Sequence, residues 1–425
     1  MHGVIFALAT GAGRAAIAVV RVSGAGSGEV LAALVGRLLP ARRAVLRTLR
    51  DANGDVLDRG MVLWLPGPAS YTGEDSCELH LHAGPAVIAS VADALVALGA
   101  RPAEPGEFTR RAFLNGKMDL LEAEAVNDLI VAETTAQARQ ALRQMDGALS
   151  AVTADWAGRL RLVLAQQEAL IDFPDEDLPP EVEAALLAEM AALRAEMAAH
   201  LDDGRRGERL REGLVFAVTG PPNVGKSSLV NALTGRDVAI VAATPGTTRD
   251  ALEARVILGG VPVTLVDTAG LRETDDPVEA EGVRRALRRA ADADYRILVC
   301  VAGDAGDGAA DLVIANKIDL GGMVPDGALG ISVRTGAGMN ALRERLGAAA
   351  RALTQAEGPP PLTRARHRAA LGEAVVHLDR ALGTDLPELR GEDLRLAMRA
   401  LGRVTGVVGV EDILDAIFRE FCIGK

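Results

Sequence analysis

Only three cysteines, Cys77, Cys300 and Cys422, occur in 425 residues. They are too few and too scattered for a disulfide framework or a Cys-rich zinc site, so a reducing compartment, the cytoplasm, is expected. Aromatic residues are scarce at 3%, and positive charge is outweighed to a formal net charge of -12. That balance excludes a broad basic face for neutralising phosphates, so any nucleic-acid contact has to be local or shared. Long hydrophobic runs are missing too. The apolar stretch from Ala15 to Val22 is accompanied by Arg14 and Arg21 and is far too short to cross a membrane; it reads as a strand, not a signal peptide, and no membrane partner is expected. Cys422 lies near the end, but Ile423, Gly424 and Lys425 do not form a lipidation tail.

What remains is 49% hydrophobic and 24% charged, rich in Ala and Leu, the composition of packed helices joined to an α/β part. The length suits two or three domains, since single cores rarely exceed roughly 250 residues. Short apolar runs over Ala16 to Val22, Arg59 to Leu65 and Glu78 to Leu81, broken by Gly and Pro, with a helix near Ala86 to Leu98, predict an N-terminal α+β domain over 1–118. From 119 to 212 the pattern is helical, interrupted between Phe173 and Pro180. Strands, glycine turns and helices alternate from 213 to 352, the signature of a parallel α/β sheet. After Pro359, Pro360 and Pro361 helical periodicity returns, giving a second helical part over 353–425. The expected fold is therefore multidomain α/β + α, with an α/β domain inserted into a discontinuous helical domain. Arginine clusters at 205, 206, 209 and 211, at 284, 285, 288 and 289, and at 364, 366 and 368 read as solvated helix faces or as local contacts for RNA.

The strongest motif is the apolar strand Leu214 to Thr219 followed by Gly220-Pro221-Pro222-Asn223-Val224-Gly225-Lys226-Ser227-Ser228. A strand, a glycine loop and a helix beginning near Lys226 place backbone N–H groups and the positive end of the helix dipole around phosphates. Lys226 is then placed to reach the β- and γ-phosphates and Ser227 to ligate Mg²⁺. Three further elements follow in order. Asp267-Thr268-Ala269-Gly270 comes directly after the apolar run Val263 to Val266, which puts Asp267 beside the metal. Asn316-Lys317-Ile318-Asp319 follows Leu312 to Ala315, and Asp319 can accept from guanine N1–H and N2–H, a pair adenine does not offer. Ser332-Val333-Arg334 completes the base pocket. Between the glycine loop and Asp267 lies the polar loop Ala242-Ala243-Thr244-Pro245-Gly246-Thr247-Thr248. Leu271 stands where Ras-like GTPases carry a water-orienting Gln, so hydrolysis needs another device.

The chain resembles the MnmE (TrmE) family of the TrmE-Era-EngA-like P-loop GTPases over essentially its whole length. The resemblance rests on Tyr71 to Asp75, Glu104 to Thr109, Arg111 to Lys117, Ile171 to Pro174, and the terminal Phe421-Cys422-Ile423-Gly424-Lys425, which generic GTPases have no reason to share. It implies a Ras-like GTPase domain whose GTP-bound form pairs with that of a second subunit. Thr248 matches a second Mg²⁺ ligand, Asn223, Ala242, Thr244 and Thr247 match a K⁺ site, and Glu279 matches the water-orienting glutamate. It also implies an N-terminal folate-binding and dimerisation domain in which Arg21, Glu78, Lys117 and Lys425 match contacts to a methylene- or formyl-tetrahydrofolate. Family function is then the addition of an aminomethyl or carboxymethylaminomethyl group to carbon 5 of the tRNA wobble uridine, by a homodimer joined to the FAD-carrying flavoprotein MnmG. Cys422 is open to two readings, a covalent role or a buried structural thiol. His80 and His82 alternate on one strand face without a third ligand, which favours a non-metal role.

Two departures stand out. Only Ala302 to Asp311 separate two strands that would run parallel, where a crossover usually takes a dozen residues or more, so one helix is expected to be missing or reduced. Leu320 to Gly330 is similarly short. The rival functional readings are a GTPase switch in ribosome assembly without one-carbon chemistry, and a folate-binding scaffold with a degenerate GTPase domain.

Overall fold

The structure is a computed structural model of the chain, and it describes residues 3–11, 13, 15–172, 180–235, 253–267, 288–304, 308–355, 358–408 and 411–424. The chain divides into two compact units, one of residues Met1–Asn127, Gln144–Leu164 and Leu394–Lys425, the other of Asp128–Arg143 and Ala165–Asp393. No helix among the described residues is long and apolar enough to cross a membrane.

The first unit is built on strands β1 (Ile5–Leu8), β2 (Ile17–Ser23), β3 (Ala44–Arg50), β4 (Val56–Leu65), β5 (Ser76–His82) and β6 (Arg101–Pro102), ordered β3-β4-β5-β2-β1-β6. Side chains alternate along each strand. Val20, Val22, Val62, Trp64, Leu79 and Leu81 therefore share one core with Leu31 and Leu34 of α1 (Ser27–Val35) and Val91 and Leu95 of α2 (Pro85–Ala97). The residues between them fall on the opposite face, where Arg21 and Glu78 stand directly across from each other in the β2–β5 register. Helix α3 (Glu107–Leu114) places Phe108 against Ile5, Ala7 and Ala103. Helix α4 (Leu120–Val131) packs Leu120 and Ala123 with Leu414, Phe418 and Phe421 from the C-terminal segment.

The next helices are α5 (Thr135–Met145), α6 (Ala148–Asp172), α7 (Pro180–Leu201) and α8 (Arg206–Glu212). The second unit then contains β7 (Leu214–Thr219), α9 (Lys226–Thr234), β8 (Glu253–Leu258), β9 (Val261–Asp267), β10 (Tyr295–Val301), β11 (Leu312–Asn316), β12 (Leu329–Gly330) and α10 (Met339–Thr354). The sheet order is β12-β11-β10-β7-β9-β8, parallel except for β8, which runs antiparallel to β9 across the turn Gly259-Gly260. Both glycines have positive φ, +61° and +83°, as a tight hairpin turn requires. Phe216, Val218, Leu265, Ile297, Val299 and Ile314 are buried with Leu229 and Leu233 of α9 and Leu342 and Leu346 of α10.

The short connection from β10 to β11 carries no helix in its described residues, 302–304 and 308–311, although the two strands pair in parallel. It folds against the other shortened segment instead. Gly303 N donates to Met323 O at 2.9 Å, and a Cβ on Gly322 would sit 2.4 Å from Ala302 O, so this approach admits only glycine.

Helices α11 (Ala365–Leu382), α12 (Pro387–Thr405) and α13 (Glu411–Arg419) complete the chain. Here two of the arginine clusters, those at 205–211 and 364–368, turn out to be largely structural, whereas Arg288 and Arg289 of the third are exposed. Glu208 of α8 accepts from Arg205 and from Arg368 of α11, and Arg368 also reaches Asp203 at 2.6 Å. Arg209 donates to Asp294 at 2.8 Å, whose other carboxylate oxygen accepts from Val215 N at the start of β7. Arg211 donates to Thr363 O, and Arg364 pairs with Asp128. These side chains hold α8, the sheet and α11 together rather than forming a solvated basic face. Arg284 and Arg285 lie outside the described residues.

Candidate nucleotide site

Strand β7 ends at Thr219, and the following loop is forced into its shape by close backbone contacts. Gly220 has φ +134°, and a Cβ there would come within 2.1 Å of Val299 O on β10. Asn223 adopts φ +64° and Gly225 φ +100°, with Asn316 Nδ2 only 2.5 Å from where a Gly225 Cβ would lie. The chain therefore curls around its own N–H groups before α9 begins at Lys226, the arrangement that collects anions at a helix N-terminus. Lys226 is 4% exposed, and its ammonium donates to Gly220 O at 2.7 Å and Pro221 O at 2.6 Å. Ser227 and Ser228 occupy the first turn of the helix.

Parallel pairing of β7 with β9 brings Asp267 to the same edge of the sheet, and Ser227 Oγ donates to Asp267 Oδ2. A hydroxyl and a carboxylate in contact are hard oxygen donors suited to a magnesium ion. The sequence pairing of Ser227 with Asp267 is thus brought together in space.

One strand further along, Asn316 at the end of β11 donates from Nδ2 to Val224 O at 2.8 Å and accepts from Val333 N at 3.3 Å, so one amide ties the phosphate loop to the Ser332 loop. Lys317, with φ +63°, donates to Asn223 O at 2.7 Å. Ser332 is fully buried; its hydroxyl donates to Asp319 Oδ1 at 2.6 Å and accepts from Thr335 N at 3.2 Å. Arg334 pairs with Asp319 Oδ2. The Ser332 hydrogen bond foremost, and the Arg334 charge with it, hold the Asp319 carboxyl below the usual range. Asn223, Val224, Gly225, Lys226, Ser227, Asp267, Asn316, Lys317, Asp319, Ser332, Val333 and Arg334 thus lie together at or just beyond the carboxyl ends of β7, β9, β11 and β12, the position where open α/β sheets take ligands. Ala242 to Thr248, Thr268, Ala269, Gly270, Leu271 and Glu279 lie outside the described residues.

A second constellation sits on the first unit's sheet. The Arg21 guanidinium pairs with Glu78 at 3.0 Å and lies over the rings of Tyr71, at 5.4 Å, and Phe108, at 5.9 Å. Tyr71 OH meets Thr109 Oγ1 at 2.8 Å, Glu74 accepts from Ser23 and Arg111, Asn115 donates to Thr72 O, and Lys117 donates to Pro68 O. The motifs around residues 71–75, 104–109 and 111–117 converge on one polar network, which explains their distinct sequences. Tyr71 and Phe108 were not singled out from sequence as partners of Arg21, since the contact joins a loop to a helix start far apart in the chain. Phe108 is fully buried and backs the guanidinium from the core, which leaves the Arg21–Glu78 pair as the polar group on this face. His80 and His82 each face a carboxylate, Glu78 and Asp58.

Cys422 is exposed, which overturns the buried-thiol alternative, whereas Cys77 and Cys300 are buried. Burial pushes the Cys77 thiol up to about 12, so it stays protonated. The tail itself is fixed. Phe421 is buried, and Gly424, with φ +99°, approaches β1 so closely that a Cβ would lie 2.6 Å from Leu8 O. Lys425 lies outside the described residues.

Comparison with known proteins agrees with this geometry. A family described as MnmE helical domain matches residues 120–422, and one described as GTP-binding protein TrmE N-terminus matches residues 4–117. The tRNA modification GTPase MnmE of Gluconacetobacter diazotrophicus is 66% identical, covering 99% of this chain and 98% of that protein. Proteins of the same name from Granulibacter bethesdensis and Acidiphilium cryptum are each 56% identical, covering 99% of this chain and 99% and 98% of theirs. The chain belongs to the MnmE (TrmE) family of tRNA modification GTPases.

Proposed function

We propose that this GTPase uses hydrolysis to drive the addition of an aminomethyl or carboxymethylaminomethyl group to C5 of the tRNA wobble uridine, acting as a homodimer with the flavoprotein MnmG, which brings FAD. The observation that carries the GTP half is the meeting of Lys226, Ser227 and Asp267 with Asn316, Asp319 and Ser332 along one sheet edge. In this reading the backbone of residues 223–228 cradles the phosphates, Lys226 balances the charge that builds on the γ-phosphoryl oxygens, and Asp319 selects guanine. Ser227 and Thr248 would hold Mg²⁺, which would supply positive charge to the phosphates. Asn223, Ala242, Thr244 and Thr247 would hold K⁺, and Glu279 would orient the attacking water in place of the missing glutamine at Leu271.

The one-carbon half rests on Arg21 and Glu78, with Lys117 and Lys425, as contacts for tetrahydrofolate: a carboxylate can accept from the pterin ring, and cations suit its glutamyl tail. The domain reading is 1–118 for folate and dimerisation, 119–212 and 353–425 for the two helical parts, and 213–352 for the GTPase.

Steady-state GTP hydrolysis in matched KCl and NaCl buffers tests the ion site. Turnover is expected to be at least tenfold faster in KCl, and equal rates would remove K⁺ from the mechanism. Glu279→Ala is expected to retain GTP affinity within about twofold yet lose about 10²-fold or more in kcat, the scale of a lost positioned base. Unchanged turnover would take Glu279 out of the reaction. Nucleoside analysis of tRNA from a strain lacking the gene distinguishes this function from a ribosome-assembly switch, which predicts normal wobble uridines.

A further inference from the structure

The carboxylate assigned above to guanine recognition is bonded on both oxygens by this chain's own side chains, and the two partners differ in kind. Ser332 is fully buried, its N–H is bonded to Ala337 O at 2.9 Å, and its hydroxyl is locked between Thr335 N and Asp319 Oδ1. It is a fixed support, and it leaves Oδ1 a second lone pair. Arg334 takes the other oxygen, Oδ2, from an exposed position, with 73% of its side chain open to solvent. A guanidinium presents planar N–H donors in a fork, and the N1–H and N2–H edge of guanine presents the same pattern to a carboxylate.

We infer that Arg334 is an intramolecular competitor for the guanine edge, pairing with Asp319 so that every guanine nucleotide must displace it on binding and meets it again on leaving. The inference rests on Asp319 being the guanine acceptor. Because the base is common to GTP and GDP, competition lowers affinity for both by the same factor and leaves their ratio unchanged. Its size follows from the exposure of the pair. Arg334 is exposed, so the pair is weak and the expected factor is about 1.4- to fivefold. The role differs from that of Ser332, whose loss removes a support and weakens binding.

The test is the affinity and dissociation rate of GDP and GTP for the full chain and its Arg334→Ala variant, with Asp319→Asn and the double variant tested against xanthine nucleotides. Arg334→Ala should tighten GDP and GTP alike by about 1.4- to fivefold, chiefly through faster association, because the free site no longer holds its competitor. Asp319→Asn should exchange guanine preference for xanthine, since an amide can donate to the carbonyl that xanthine carries at C2. In that background the neutral side chain no longer attracts the guanidinium, so adding Arg334→Ala should leave xanthosine diphosphate affinity unchanged. Weaker or unaltered GDP binding by Arg334→Ala, with the base switch intact, overturns the competitor role and leaves the site standing. An equal gain in the Asp319→Asn background overturns it too, because the effect would then not pass through Asp319. Failure of Asp319→Asn to switch the base overturns the site reading itself, and the inference with it.

Discussion

Lys226→Ala should lower kcat for GTP by about 10²–10³-fold, the scale seen when one preorganised charge-stabilising donor is removed from a transition state. Lys226 is 4% exposed, and its ammonium is held inside the loop by Gly220 O and Pro221 O. Two carbonyl acceptors fix its position before phosphate arrives, so little reorganisation is needed when charge develops on the transferring group. The loop's shape does not depend on it to the same degree: Gly220 is pinned against β10, and Asn316 holds Val224 O. Truncation frees two loop carbonyls from a charged donor, a loss of about 1–3 kcal/mol each where water does not replace it. Phosphate release should therefore collapse while the fold, still pinned through Gly220 and Asn316, persists at the assay temperature. Turnover within tenfold of the parent chain would show that Lys226 does not face the reacting phosphate.

Much of this site could be read before any coordinates because its chemistry follows the chain order. Each functional side chain ends a buried strand: Asp267 closes β9, Asn316 closes β11, and the glycine loop follows β7. In a parallel sheet those ends meet on one edge, so spacing alone predicts the meeting. Strand β8 carries its own signal, because Gly259-Gly260 between two apolar runs marks a hairpin. The arginine clusters were not readable in the same way. Nothing local distinguishes an arginine facing water from Arg368, whose partners Asp203 and Glu208 lie more than a hundred residues earlier. Arg21 is similar, since its pairing with Glu78 follows from strand register but its aromatic neighbours come from a loop and a helix start. The shortened segments 302–311 and 320–330 were visible as lengths, but their mutual repair through Gly303 and Gly322 is a tertiary event.

The second large effect is on stability and falls at α8. Glu208→Ala should destabilise this region by about 3 kcal/mol, the lower end for breaking a buried ion pair from one side. The Glu208 side chain is 2% exposed and receives Arg205 at 2.8 and 2.9 Å and Arg368 at 2.8 Å. Without the carboxylate, Arg368 keeps only Asp203 and Leu201 O in a largely buried place. The neighbouring residue has no slack, since a Cβ on Gly207 would lie 2.4 Å from Leu362 O. Helix α8 is thus the point at which the chain entering the α/β segment and the chain leaving it are fastened together, and Arg209 with Asp294 extends the fastening to β7. Burial by itself would raise the Glu208 carboxyl pKa, but the hydrogen bonds and charges of Arg368 and Arg205 outweigh it and the net shift is downward. A depressed carboxylate contributes its stability fully above the unfolded value, about 4.3, and loses it as pH falls through the lower folded value. The gap between the parent chain and Glu208→Gln, which keeps the shape and removes the charge, should accordingly be full at pH 7 and shrink only below about pH 4. Hydrogen exchange over residues 206–215 and 361–371 reports this locally, without assuming that a multidomain chain unfolds in one step. Protection in Glu208→Ala equal to that of the parent at pH 7 would mean that α8 is held by its other contacts alone, such as the Gln137 and Gln140 amides that donate to Arg211 O and Gly207 O.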